Sequence, residues 1–231
     1  MLAKDVMTTK VVKVSAESTV PEIAQLLMKN HISGVPVVGP GDKIVGIVSE
    51  GDLLRRSEIG TERHRPWWLT ILAGNRDLAR EYVKAHGLRA RDVMTRDVLT
   101  VAEDAPLTKI ASILEERGIK RVPVVRAGKL VGIIARADVV RVLASAKADR
   151  PSKSLDDDRA IREGILKTLR GADWSVSPYV NVIVTKGMVH VWGLVDSEEE
   201  KEALRVACEN VAGVKSVEIH ARHLPSFVGS E

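Results

Sequence analysis

The chain has 231 residues, of which 45% are apolar, enough to bury one large core or two ordinary ones. Its net charge of +4 is too small to announce a nucleic-acid binder, and no apolar run approaches the roughly 18 residues of a membrane span. The start "MLAKDVMTTK" lacks an apolar signal core and Cys208 has no second cysteine to pair with, so a cytoplasmic protein without internal disulfides is expected.

Residues 1–56 read as a β-α-β-β-α unit: a short strand over Val11 to Val14, a helix with Ile23, Leu26 and Leu27 on one face, two strands around a glycine turn, and a closing helix from Asp52. Residues 57–88 form a spacer inside the stretch 55–91, which carries a net +5 against −1 for residues 1–54. The spacer holds "TERHRPWWL", with Trp67 and Trp68 behind Pro66 and a basic cluster. From Asn75 a helix runs through Leu78, Ala79, Tyr82 and Val83 to a stop at Gly87. Two readings of the tryptophans stay open: a plug packed on a neighbouring domain, which is preferred, or a grip on a membrane interface or single-stranded nucleic acid.

Residues 89–148 repeat the first unit. Val35-Pro36-Val37-Val38 returns 87 positions later as Val122-Pro123-Val124-Val125, and Gly46-Ile47-Val48 returns after 86 as Gly132-Ile133-Ile134. The strand is Val98 to Val101, the helix carries Ile110, Ile113 and Leu114, and the closing helix starts at Asp138. Two copies of a long unit predict a pseudo-symmetric pair and no solenoid. A polar linker, 149–157, leads to residues 158–224: a helix from Asp158 to Leu169, a strand pair turning at Lys186-Gly187, a helix from Ser197 to Asn210 and a last strand. Alternation of Val180, Val182 and Val184, and of Val189, Val191 and Gly193, predicts a half-buried antiparallel sheet, and residues 225–231 are left as a tail. The whole is an α+β protein.

The ordered sets "DVMT…GVPVV…GIVSEGD" and "DVMT…RVPVV…GIIARAD" resemble two cystathionine-β-synthase-type (CBS) domains pairing into a Bateman module. The α-β-β-α-β order with "VHVWGLVDSEEEKEAL" and "VAGVKSV", resting on Gly193 and Gly213-Val214, resembles a BON domain. The CBS resemblance implies nucleotide-sized clefts in which the acid of a Ser/Thr-x-x-Asp motif holds ribose hydroxyls. It places Lys10, Val12, Ile32 and Ser33 with Arg121, Ile133 and Asp138 in one cleft, and Leu99, Ile119 and Lys120 with Gly34, Ile47, Ser49 and Asp52 in the other. The motif is complete at Ser49 and Asp52, while Ala135 replaces the hydroxyl residue before Asp138. Arg121 offers phosphate a fork of donors where its counterpart Gly34 offers backbone, so the Arg121 and Asp138 cleft is preferred for a phosphorylated ligand and the Asp52 cleft for one read through ribose. Against both stands the plainer role of the two acids as helix N-terminal residues.

His220 and His223 have a spacing that can chelate, but they lie near the tail with no obvious third ligand, so they read as incidental and no metal is expected. Cys208 reads as a small buried thiol, and Asp156 to Asp158 and Glu198 to Glu200 as acidic first turns. No catalytic arrangement stands out, so an enzyme is not expected. The resemblances imply a regulatory protein without a resident cofactor. Its CBS pair senses an adenine nucleotide such as AMP or ATP, it associates as a homodimer, and its BON domain engages phospholipid or a protein partner. The rivals are a ligand-independent dimerisation scaffold and a nucleic-acid regulator using the basic spacer, the latter without a recognised reading motif.

Overall fold

A computed structural model describes residues 1–54, 56, 59–61, 75–145, 155–172, 174, 176–177 and 180–223. Trp67 and Trp68 lie outside the described residues, and both readings of them with it. The chain divides into two units, one formed by Val12–Leu99 with Ala127–Leu130, the other by Met1–Val11, Thr100–Arg126 and Val131–Glu231.

In the first unit, β1 (Val14–Ser15) pairs parallel with β2 (Gly34–Val38), which pairs antiparallel with β3 (Ile44–Ser49). Pro36 is tolerated in the central strand because β1 begins pairing at Val37, so its missing N–H leaves no gap in the parallel ladder. Helix α2 (Val20–Lys29) opens on Thr19, whose side chain accepts from the Glu22 N–H while Glu22 reaches back to the Thr19 N–H at 2.8 Å. Its Ile23 and Leu27, four apart, are buried on the sheet. The closing helix α3 (Glu50–Leu53) is a single turn, and the spacer supplies α4 (Asn75–His86). A turn not read from the sequence, α5 (Ala90–Val93), completes this core: Ala90, Val93 and Met94 are buried with Val35, Val37 and Val48.

The second repeat matches this plan with β4 (Val101–Ala102), α6 (Leu107–Glu116), β5 (Arg121–Arg126), β6 (Lys129–Ala135) and α7 (Arg136–Ser145). Its core is closed by the N-terminal turn α1 (Ala3–Val6), which the sequence reading grouped with the first repeat. The exchange is reciprocal. Ala3 N–H donates to Ala105 C=O at 2.8 Å, and Ala90 N–H to Ser18 C=O at 2.8 Å. Each "DVMT" turn therefore serves the opposite copy, and the GI pair marks its seat: a Cβ on Gly132 would lie 2.3 Å from the Met7 sulfur, and one on Gly46 2.3 Å from the Met94 sulfur.

The remainder forms α8 (Leu155–Arg170), β7 (Asn181–Thr185), β8 (Met188–Val195), α9 (Glu198–Glu209) and β9 (Ser216–His223). Ile161, Ile165 and Leu169 of α8 and Leu204 and Cys208 of α9 bury against Val182, Val184, Val189, Val191 and Val195. The hairpin strands β7 and β8 are antiparallel, as their alternation predicts, and β9, whose direction the alternation did not address, runs parallel to β8 because α9 carries the chain back to the same end of the sheet. Asp158, read as a helix-start acid, accepts the Lys186 and Gly187 N–H groups at 2.8 and 2.7 Å and pins the hairpin turn. Among the described residues no helix is long and apolar enough to cross a membrane.

Candidate functional site

Both closing helices start two residues before their aspartate, so Asp52 and Asp138 occupy the third helical position. One oxygen of each binds the residue preceding the helix: Ser49 N–H donates to Asp52 Oδ2 at 2.9 Å and Ala135 N–H to Asp138 Oδ2 at 2.8 Å. Helix capping is thus real at both ends, and it uses one carboxylate oxygen, leaving the other for different work.

At Asp52 the Ser49 hydroxyl also donates to Oδ2, at 2.8 Å. Oδ1 meets Lys84 Nζ at 3.0 Å and the Thr95 hydroxyl at 3.5 Å. Lys84 comes from the spacer helix, whose last turn is tied down by the Arg56 guanidinium donating to the Lys84 carbonyl at 2.9 Å. Ser33 and Gly34 complete the surroundings: Ser33 C=O accepts the Glu50 N–H at 3.1 Å, and Gly34 stands opposite Ser49 in register. A Cβ on Gly34 would come within 3.1 Å of the Val48 carbonyl, a tight approach. Ile47 exchanges backbone bonds with Thr95. The fold therefore gathers Ser33, Gly34, Ile47, Ser49 and Asp52, and adds Lys84 and Thr95, which the sequence reading did not single out. A carboxylate with one oxygen held by an exposed lysine can accept diol hydroxyls while that cation turns to a phosphate.

Asp138 is more deeply enclosed. Its side chain is 3% exposed, and Oδ1 accepts from Arg141 at 2.7 Å and from the Asn181 amide at 3.2 Å. Asn181 begins β7, and the same amide nitrogen donates to the Val6 carbonyl at 3.0 Å. Lys10 donates to the Val176 carbonyl at 2.9 Å. Two residues expected at a ligand cleft are thus held by Val176 and Asn181. Arg162 fastens this arrangement: buried, it donates to the carbonyls of Val182 (2.8 Å), Lys4 (2.6 Å) and Met7 (2.8 Å). Burial pulls its guanidinium down to about 10, against the opposing charges of Asp5, Glu163 and Asp138. Burial works to raise the nearby Asp5 carboxyl, but bonds from Arg159 and the Leu2 N–H outweigh it and hold it below the usual carboxylate range.

Ile133 exchanges backbone bonds with Thr8, and the carbonyls of Ile119 and Lys120 accept from Arg136. Arg121 is half-buried, as are Val12, Ile32 and Leu99 in the first unit. The residues of each expected cleft thus divide between the two units. Elsewhere, burial pushes the Cys208 thiol up to about 12, in keeping with an inert core residue. His223 bonds Glu198 at 2.6 Å.

Comparison with known proteins gives these geometries a context. Models of the CBS domain match residues 3–58 and 90–145, and a model of the BON domain matches residues 157–222. The uncharacterized protein MJ1426 of Methanocaldococcus jannaschii is 32% identical over 158 residues, 62% of this chain and 91% of that one. The chloroplastic CBS domain-containing protein CBSX1 of Arabidopsis thaliana is 38% identical over 58% of this chain, which spans 59% of its length. The crystal structure of CBSX2 in complex with AMP is 31% identical and superposes with a TM-score of 0.56, over 63% of this chain and 98% of that one. With its two exchanged β-α-β-β-α repeats and the α-β-β-α-β domain behind them, the chain belongs to the CBS-domain family, a CBS pair followed by a BON domain.

Proposed function

We propose that this protein is a regulatory sensor of an adenosine-type nucleotide, bound at the Asp52 end of the CBS pair, and that its BON domain acts as a plug on the Asp138 end. The AMP held by CBSX2 supports the ligand class. The observation that carries the reading is the Asn181 amide on Asp138 Oδ1, set against the exposed Lys84 on Asp52 Oδ1. Asp52 and Ser49 take the ribose hydroxyls, and Lys84 leaves the carboxylate for the phosphate. This reverses the preference that Arg121 suggested, because the acid on that side already has its partners. A ligand that took Asp138 would have to displace the Asn181 amide, so occupancy there and BON docking exclude one another. That exclusion gives ligand state a route to the BON surface and whatever protein or lipid it engages.

Calorimetry with AMP, ATP and S-adenosylmethionine tests the assignment. Asp52→Ala is expected to weaken binding by at least about tenfold, the effect of losing a charged hydrogen-bond acceptor. Asp138→Ala is expected to leave that affinity within about twofold. The reverse ranking would overturn the reading.

A further inference from the structure

The parallel pairing of β8 and β9 sets His190 opposite Glu218 and Trp192 opposite His220. Residues two apart on a strand share a face, so both histidines and the glutamate come together on the side of the sheet away from Val189 and Val191, which fill the core. His190 Nδ1 lies 3.3 Å from His220 Nε2 and 3.3 Å from Glu218 Oε2, and His220 Nε2 lies 3.5 Å from the same carboxylate oxygen. His223, three residues beyond His220, falls on the other face and pairs with Glu198.

We propose that His190, Glu218 and His220 form a binding site for a divalent transition-metal ion of the zinc class. Two ligand atoms about 2.05 Å from a tetrahedral zinc stand about 3.3 Å apart, which is the spacing of these three atoms. Two imidazole nitrogens and one carboxylate oxygen suit zinc, nickel or copper, and suit calcium or magnesium poorly because those ions take all-oxygen shells. The ligands are held in place before any ion arrives. His190 is buried, and the His220 ring is stacked on Trp192 with centroids 4.0 Å apart and planes 18° apart. Glu218 and His220 are 50% and 33% exposed, which gives an ion an entry path and leaves a fourth position for water or a partner's side chain. Bound there, the ion would clip β8 to the edge strand β9, two strands that backbone bonds and the α9 crossover now join.

The test uses the untagged full-length protein stripped with chelator and titrated with zinc chloride by calorimetry. Cobalt serves as the optical probe of a tetrahedral nitrogen and oxygen site. One ion per chain is expected, with a thermal upshift on zinc addition. His220→Ala and Glu218→Gln, both at partly exposed positions on an edge strand, are each expected to weaken binding by about tenfold or more and to abolish the cobalt spectrum. His223→Ala is expected to bind as the wild type does. Matched metal-free melting curves establish that the variants are folded. Absence of one-to-one binding in the wild type, or binding that survives both ligand substitutions, would overturn the site.

Discussion

Asp52 and Asp138 are the same residue at the same helical position in two copies of one unit, and each spends one oxygen on the same N-cap bond, at 2.9 and 2.8 Å. Their other oxygens each meet a basic side chain, Lys84 or Arg141, and differ in burial and in the second donor. Asp52 Oδ1 faces a lysine that is 48% exposed, brought by the spacer, while Asp138 Oδ1 is buried under an asparagine brought by the BON domain. Duplication places the acid, and segments outside the repeat decide whether it is available. The hydroxyl positions differ as well: the Ser49 hydroxyl adds a donor to Asp52 Oδ2, whereas Ala135 offers Asp138 Oδ2 none and the Asn181 amide donates to the other oxygen.

The comparison breaks most visibly at Arg162. Arg162→Ala leaves the carbonyls of Lys4, Met7 and Val182 without their donor, and a loss of about 3 kcal/mol in urea unfolding is expected. The damage should concentrate on the BON docking surface, seen as faster amide exchange over residues 3–7, with exchange over residues 34–49 unchanged. A loss below about 1 kcal/mol would mean that water replaces the guanidinium and that docking does not depend on it. The smaller effect lies at the other end. Lys84→Ala removes an exposed ion pair, so stability should change by less than about 0.5 kcal/mol while AMP affinity falls several-fold, measured by melting and calorimetry on the same samples. Unchanged affinity would remove Lys84 from the site and leave Asp52 and Ser49 to hold ribose alone.

Much of the architecture was legible in the residues. Repetition of VPVV and GI fixed the paired units, the i, i+4 spacing of Ile23 with Leu27 and of Ile110 with Leu114 fixed their helices, and Lys186-Gly187 fixed the hairpin. Cross-chain arrangements escaped. The "DVMT" turns read as the start of their own repeats, and what betrays the exchange is the glycine at 46 or 132, explicable once a methionine is seen 48 or 125 residues away filling the space of its Cβ. The plug on Asp138 rests on Asn181, a residue with no local signal because its partner lies 43 positions earlier. The metal site shows the same limit. Sequence spacing suggested His220 with His223, whereas strand geometry puts those two on opposite faces and brings in His190 from 30 positions away. Parallel pairing of β8 and β9 was the missing datum, because alternation in the hairpin strands says nothing of the register of β9.

The central claim is that the BON domain closes one of two equivalent acids, and ligand stoichiometry tests it most directly. In Asn181→Asp a second carboxylate faces Asp138 at the distance of the present 3.2 Å bond, so repulsion should undock the segment. AMP titrated calorimetrically into the full-length chain is expected to fill one site in the wild type and two in this variant, the second weaker for want of a hydroxyl at Ala135. Two sites already in the wild type, or one site in a variant whose residues 3–7 exchange freely, would contradict the account.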